Sequence, residues 1–363
     1  MIRLQLSVRC ALAIALALGA QVAPMQAPPA QAFDEAVRLT PDNAEYHLAA
    51  GRNLRREGEV ELAVVALREA VRLRPDWTEA RQELGLALVQ NQKPDEAVAV
   101  FDETLRMQPD NLVARHNLGM ALIHNADYAG AIQVYRELLR IAPESPSAHY
   151  NLGLAYRYVD DLDSAARELQ EAIRLDNRLV DAYYTLGVIL LQQGHLDDAA
   201  AALRRCVAVR PDYAQGHRTL GTVLQRQGNT DAAILAFRQA LSLAPEAAES
   251  HNALGRALRQ KGLRKAASLE FAEATRLNRL KSDRQAIAFA FNTGAARLAA
   301  GDVDGALERL LAAVRLDPEN PKGFVLLSIA LQKKGDLRGA QEALGRARSL
   351  RDQHRGSPVL PME

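Results

Sequence analysis

Eight histidines are the side chains in this sequence best suited to chemistry, as metal ligands or proton carriers. Their spacing decides what they do. His47, His149, His217 and His251 are separated by multiples of 34 residues. A residue that returns at a fixed interval occupies one place in a repeated unit, so these four read as structural and no metal is expected on them. The acidic pairs, Asp160 with Asp161 and Asp197 with Asp198, offer two carboxylates each, yet both sit at a turn into an apolar-periodic stretch. Negative charge there favours a helix N-terminus, which is a sufficient reason for it. No HExxH, CxxC, GxSxG or phosphate-loop pattern occurs. No nucleophile, base and orienting group stand together, so no catalytic residue, cofactor or enzymatic activity is expected.

The interval of 34 runs through the chain. Gly51, Gly85, Gly119, Gly153, Gly187, Gly221 and Gly255 keep it, and Ala63, Ala97, Ala131, Ala165, Ala199, Ala233 and Ala267 follow 12 residues behind. Five units close on a proline: Pro75, Pro109, Pro143, Pro211 and Pro245. The apolar spacing on both sides of the alanine is helical, so each unit is two helices. Glycine inside a helix costs about 1 kcal/mol against alanine, so close packing must outweigh propensity at Gly51 and its equivalents. Four residues after each alanine stands a bulky partner, Leu67, Phe101, Tyr135, Leu169, Leu203, Phe237 or Phe271. Small against large predicts an interlocking core. Gly58, Gly194, Gly228, Gly262, Gly301 and Gly335 are placed to end first helices in the left-handed conformation.

The order of His149, Leu152, Gly153 and Tyr156, then Ala165 and Leu169, repeated with a closing proline every 34 residues, resembles the tetratricopeptide repeat. Seven repeats fill 44–281, starting at Ala44, Thr78, Leu112, Pro146, Val180, Ala214 and Ala248. A five-residue insertion at 282–286 shifts the phase, expected to lengthen the second helix of repeat seven. Two further repeats, from Ile287 and Pro321, fill 287–354. A truncated leading unit at 33–43 and a tail at 355–363 flank them. The resemblance implies an all-α fold, a right-handed α-solenoid of stacked helix-turn-helix units. The family's tryptophan at the fourth position is replaced by His47, Arg81, Arg115, His149, Tyr183, His217, His251, Ala290 and Phe324, which predicts softer packing inside each unit. Proline is missing at Asn177 and Arg279, and Arg297 takes an apolar place in repeat eight.

With 48% hydrophobic and 25% charged residues, the chain is neither disordered in composition nor a set of membrane spans. A net charge of +1 gives no reason to expect nucleic acid or anionic lipid as a partner. The N-terminus differs in kind. Arg3 and Arg9 precede an apolar run from Cys10 to Ala20, and Ala30, Gln31 and Ala32 form a small-x-small cleavage pattern. Residues 1–32 therefore read as a signal peptide, which places the mature protein in the periplasm or secretes it; an uncleaved membrane anchor is the alternative. The run is short of the ~20 apolar residues of a spanning helix, so no integral span is expected after processing. Cys206 would then be the one cysteine, in a place where other repeats carry alanine.

Function is expected from the surface. The resemblance implies a concave groove lined by the second, fifth, sixth, ninth, twelfth and thirteenth residues of each first helix. Its middle section here is apolar and aromatic, with Asn117, Tyr150, Asn151, Leu154, Tyr158 and Tyr184. The next section is basic, with Arg218, Arg226, Asn252, Arg256 and Arg259. Asn117, Asn151 and Asn292 resemble asparagines that clamp peptide backbones in peptide-binding members, since an amide both donates and accepts; the other reading is a solvated consensus residue. The arginines likewise read as a partner-binding patch or as an ordinary solvated face. The carboxylate clamp of co-chaperone members is not matched, because repeat one carries Leu48 and Arg52 at its positions. The expected function is a non-catalytic scaffold holding a protein segment, extended or helical, with apolar and acidic residues. The alternatives are an accessory subunit of an envelope assembly or export machine, of polysaccharide or pilus type, and a remnant of a repeat-bearing glycosyltransferase; no catalytic domain is expected beyond repeat nine.

Overall fold

A computed structural model describes residues 42–355. The signal-peptide reading at 1–32, most of the leading unit at 33–43 and most of the tail lie outside them. Helix follows helix, seventeen among the described residues, each preceded by a short turn. The chain divides into two compact units that meet in sequence at Val209 and Arg210.

The first unit holds five hairpins. Their first helices are α1 (Ala44–Glu57), α3 (Thr78–Gln90), α5 (Leu112–His124), α7 (Pro146–Tyr158) and α9 (Val180–Gln193). Their second helices are α2 (Val60–Leu73), α4 (Pro94–Met107), α6 (Tyr128–Ile141), α8 (Leu162–Leu175) and α10 (Leu196–Val209). The second unit has α11 (Ala214–Arg226), α12 (Thr230–Leu243), α13 (Ala248–Gln260), α14 (Arg264–Ala299), α15 (Val303–Leu316), α16 (Pro321–Lys334) and α17 (Leu337–Arg355). Helices consecutive in the chain pack side by side within each unit, and α3 also touches α1 and α5. This is an all-α helical-repeat solenoid, in which each hairpin buries its faces on its neighbours.

Small against large builds the core. A Cβ at Gly119 would come within 2.6 Å of the Tyr135 ring, and one at Gly221 within 2.6 Å of Phe237. Both rings are fully buried. Turns from first to second helix use the left-handed residue the sequence supplies, with φ +86° at Gly58 and +84° at Gly228. In α3, α5 and α7 the same turn is made without glycine, by Gln92, Ala126 and Asp160 at φ 57°, 58° and 62°. Asp161 then caps α8, its Oδ1 accepting from the Ser164 backbone N–H at 3.1 Å. Those hydrogen bonds to Ser164 hold the Asp161 carboxyl below its usual range. Asp197 and Asp198 occupy the first turn of α10.

The two places without the closing proline behave differently. At Asn177 the chain still breaks, because the Asp176 side chain accepts from the Arg178 N–H at 2.9 Å and forms a turn of its own. At Arg279 it does not. The segment 279–286, RLKSDRQA, is made of helix-compatible residues, and α14 runs through it for 36 residues. One helix thus serves as the second helix of repeat seven and the first of repeat eight.

Candidate functional site

The fourth position of the repeats was the strongest chemical candidate in the sequence, and five of its side chains, Arg81, Arg115, His149, His217 and His251, are held by polar partners. His149 Nδ1 lies 2.7 Å from Glu168 Oε2, and its Nε2 lies 3.0 Å from the Pro143 carbonyl oxygen. His251 repeats the arrangement with Glu270 at 2.6 Å and the Pro245 carbonyl at 3.0 Å. His217 reaches the Pro211 carbonyl at 2.9 Å. Arginine does the same from α3: Arg81 Nε donates to the Pro75 carbonyl at 2.7 Å and its Nη1 to Glu103 at 2.7 Å. Arg115 joins the Pro109 carbonyl and Glu137. The Arg81 guanidinium holds the Glu103 carboxyl below its usual range. The expectation of softer packing therefore needs correction. In four repeats, those of Arg81, Arg115, His149 and His251, a polar latch replaces the tryptophan and ties the loop before the first helix to the second helix of the same repeat.

The groove-position residues fall into two groups, one in each unit. In the first, Asn117 is 8% exposed and Asn151 is half-buried. Asn151 Nδ2 lies 3.5 Å from His116 Nε2 on α5, and its amide also bonds the Tyr135 hydroxyl. The Tyr135 hydroxyl in turn donates to the His116 carbonyl at 3.1 Å. His116 packs edge-on to Tyr135 at 5.6 Å, and its burial pushes the imidazole below its ordinary value. Tyr150 is half-buried and bonded to Thr185 of α9, and burial pushes its hydroxyl up. Leu154 and Tyr184 are also half-buried. Tyr158 is exposed and stacks on Tyr128 with centroids 4.6 Å apart. Asn151 thus stands within an internal network that braces α5 on α7, Asn117 is buried, and amide capacity beyond those bonds is what remains for a ligand.

In the second unit, Arg218 and Asn252 are half-buried, while Arg226, Arg256 and Arg259 are exposed. The Arg259 guanidinium lies 5.6 Å from the Phe271 ring centroid. Gln225 and Gln260 bridge α11 and α13 at 3.1 Å. No group of three or more metal-ligating side chains occurs among the described residues, and no described helix is long and apolar enough to cross a membrane.

Sequence comparison agrees with this geometry. No curated protein sequence matches the chain. Among solved structures, MamA is 28% identical, over 46% of this chain and 96% of that one, with a TM-score of 0.44. YrrB, described as a TPR protein with an unusual peptide-binding site, is 21% identical over 52% of this chain and 97% of its own, with a TM-score of 0.40. PilF of Pseudomonas aeruginosa is 19% identical over 60% of this chain and 96% of its own, with a TM-score of 0.49. The tetratricopeptide repeat profile matches residues 30–76, 83–146, 150–214 and 218–279. Those segments cover more than half of the chain, and within them lie the helix pairs, small-to-large contacts and latched loops described above: the chain belongs to the tetratricopeptide repeat family.

Proposed function

We propose that this chain is a non-catalytic scaffold, acting outside the cytoplasm, that holds a segment of another protein on the face formed by its first helices. The observation that carries this reading is a difference between equivalent arginines. At the ninth and twelfth positions of repeat one, Arg52 and Arg55 are neutralised from the next first helix: Arg52 pairs with Glu79 and, at 2.9 Å, with Glu83, and Arg55 pairs with Glu83 at 3.0 Å. At the same positions of repeat seven, Arg256 and Arg259 are exposed and have no carboxylate in ion-pair range among the described residues. Two uncompensated cations one turn apart on α13 suit the carboxylates of an acidic partner segment. The half-buried tyrosines of the first unit suit apolar side chains. Export rests on Arg3, Arg9, the apolar run and the Ala30-Gln31-Ala32 pattern.

Pull-down from envelope extract identifies the partner, and charge reversal then tests the face. Exchanging Arg256 and Arg259 for glutamate should weaken binding about tenfold and flatten its salt dependence, since each exposed pair contributes up to about 1 kcal/mol. The same exchange at Arg68 and Arg72, on α2, should change little. Equal effects from the two pairs would move the partner to another face. For export, intact-mass analysis should find a mature chain beginning at or near Phe33; retention of residues 1–32 on a membrane-bound species would favour the anchor.

A further inference from the structure

The continuity of α14 leaves two faces uncovered. At the complete junctions inside the first unit, the third and tenth residues of the incoming first helix are buried on the repeat before. Ala80, Ala114, Ala148 and Ala182 at the third position are fully buried, as are Ala87, Ala121 and Ala155 at the tenth. In repeat eight the same positions are Phe289, 64% exposed, and Ala296, also exposed. The receiving face of repeat seven is open in the same way. Phe271 is half-buried where Leu67, Phe101, Tyr135, Leu169, Leu203 and Phe237 before it are fully buried, and Thr275 is exposed where Val71, Leu105, Leu139, Ile173, Val207 and Leu241 are half-buried.

These two faces fit each other. The junction between α15 and α16 gives the register: a Cβ at Gly323, a third position, would lie 3.1 Å from Val314, a twenty-eighth position. Carried to repeats seven and eight, this pairs Phe289 with Thr275. Other receiving repeats place Val, Leu or Ile opposite alanine or another small residue; here the larger residue has moved to the incoming helix and the smaller one to the receiving helix. Phenylalanine with threonine is bulkier than leucine with alanine, so the exchange keeps a large residue against a small one rather than the summed volume.

One chain cannot join them while α14 is continuous. Thr275 and Phe289 are 14 residues apart, about 21 Å along a helix, whereas packed helices lie 8–10 Å apart. Residues 279–286 contain no proline or glycine at which to fold back, and Arg279 and Asp283 form an i,i+4 pair at 3.9 Å.

We infer that two copies of this chain pair antiparallel along α14, each laying residues 287–299 on the α13–α14 face of the other. The register fixes the dyad. Thr275 and Phe289 are each seven residues from Ser282, and Ser268 and Ala296 each fourteen, so Ser282 meets its own copy at the twofold axis. Lys281 and Asp283 flank it, and antiparallel pairing sets each against the opposite charge of the second copy. Asn278, Ser282 and Gln285 share the face of Phe271 and Phe289 at helical spacing, an uncharged seam through an otherwise charged segment. Such an interface is isologous and closes at two copies. The incoming helix carries Ala288 and Asn292 at its second and sixth positions and brings no carboxylate to Arg256 and Arg259, so the inference stands apart from the proposed ligand face.

Light scattering of the full chain should give twice the monomer mass. In a background with Cys10→Ser and Cys206→Ala, Ser282→Cys should form an intermolecular disulfide on oxidation, while Leu280→Cys, on the far side of the helix, should not. Phe289→Asp should yield a monomer of unchanged helical content. A monomer at high micromolar concentration overturns the inference, whether Phe289 is then solvent-labelled or protected by another partner or by closure within one chain. Equal crosslinking at positions 280 and 282 overturns the register.

Discussion

A methyl group decides stability at two kinds of position, with opposite sign. At Gly119 an added Cβ meets the Tyr135 ring at 2.6 Å, and that ring is sealed, so Gly119→Ala should destabilise by about 1–3 kcal/mol through overpacking. At Ala126 the backbone is left-handed, φ 58°, where a Cβ costs about 1–2 kcal/mol. Ala126→Gly should therefore raise the melting temperature while Gly119→Ala lowers it, and a common sign in thermal melts would refute the account. Both close approaches were legible in the sequence, because a glycine inside a helical stretch at fixed period demands a reason. The turns at Gln92, Ala126 and Asp160 were not, since neighbouring contacts there impose a conformation that the residue type does not advertise.

Between elements, the periodic histidines were recognisable as structural from spacing alone, but not the means. The partners of His149 are a carbonyl six residues back and a carboxylate 19 residues ahead. Only the folded hairpin brings both to one imidazole. The groove asparagines teach the converse: their type fitted a clamp, while burial and the bonds to His116 and Tyr135 depend on how α5 and α7 stack. The same network gives a pH dependence. Burial depresses the His116 imidazole below its ordinary value, so the folded chain resists a proton that the unfolded chain accepts. The His116 contribution is present in full above about pH 6.5, the unfolded value, and is lost as pH falls below it. Between pH 7.5 and 5.5, wild type should lose stability at α5–α7 that His116→Gln, which carries no titrating ring, retains. Identical pH slopes for the two proteins in denaturant titrations would show that His116 is not the group responsible.

For the molecule as a whole, the period announced repeats and even the slip of five residues, yet it could not say that the slip would erase a turn. That outcome rests on what 279–286 lacks, a proline or an Asx turn of the kind at Asp176, and absence of a breaker becomes visible only against the neighbouring junctions. Its energetic consequence is a discontinuous core. The cluster of Ala248, Ala274 and Leu277 shares no residue with the one built from Leu298, Leu307, Leu310, Leu327 and Ala330 on the far side of the segment. In a solenoid, strain passes through nearest-neighbour interfaces, so a lesion weakens adjacent repeats before distant ones. Gly221→Leu drives a side chain into Phe237, which is fully buried, and should open α11 and α12 first and α13 next. Where side-chain packing is interrupted, the strain should stop. Hydrogen exchange of this variant should show protection lost over 214–260 and retained over 303–334. Uniform loss across both stretches would mean that the long helix transmits cooperativity by itself, without packed side chains to carry it.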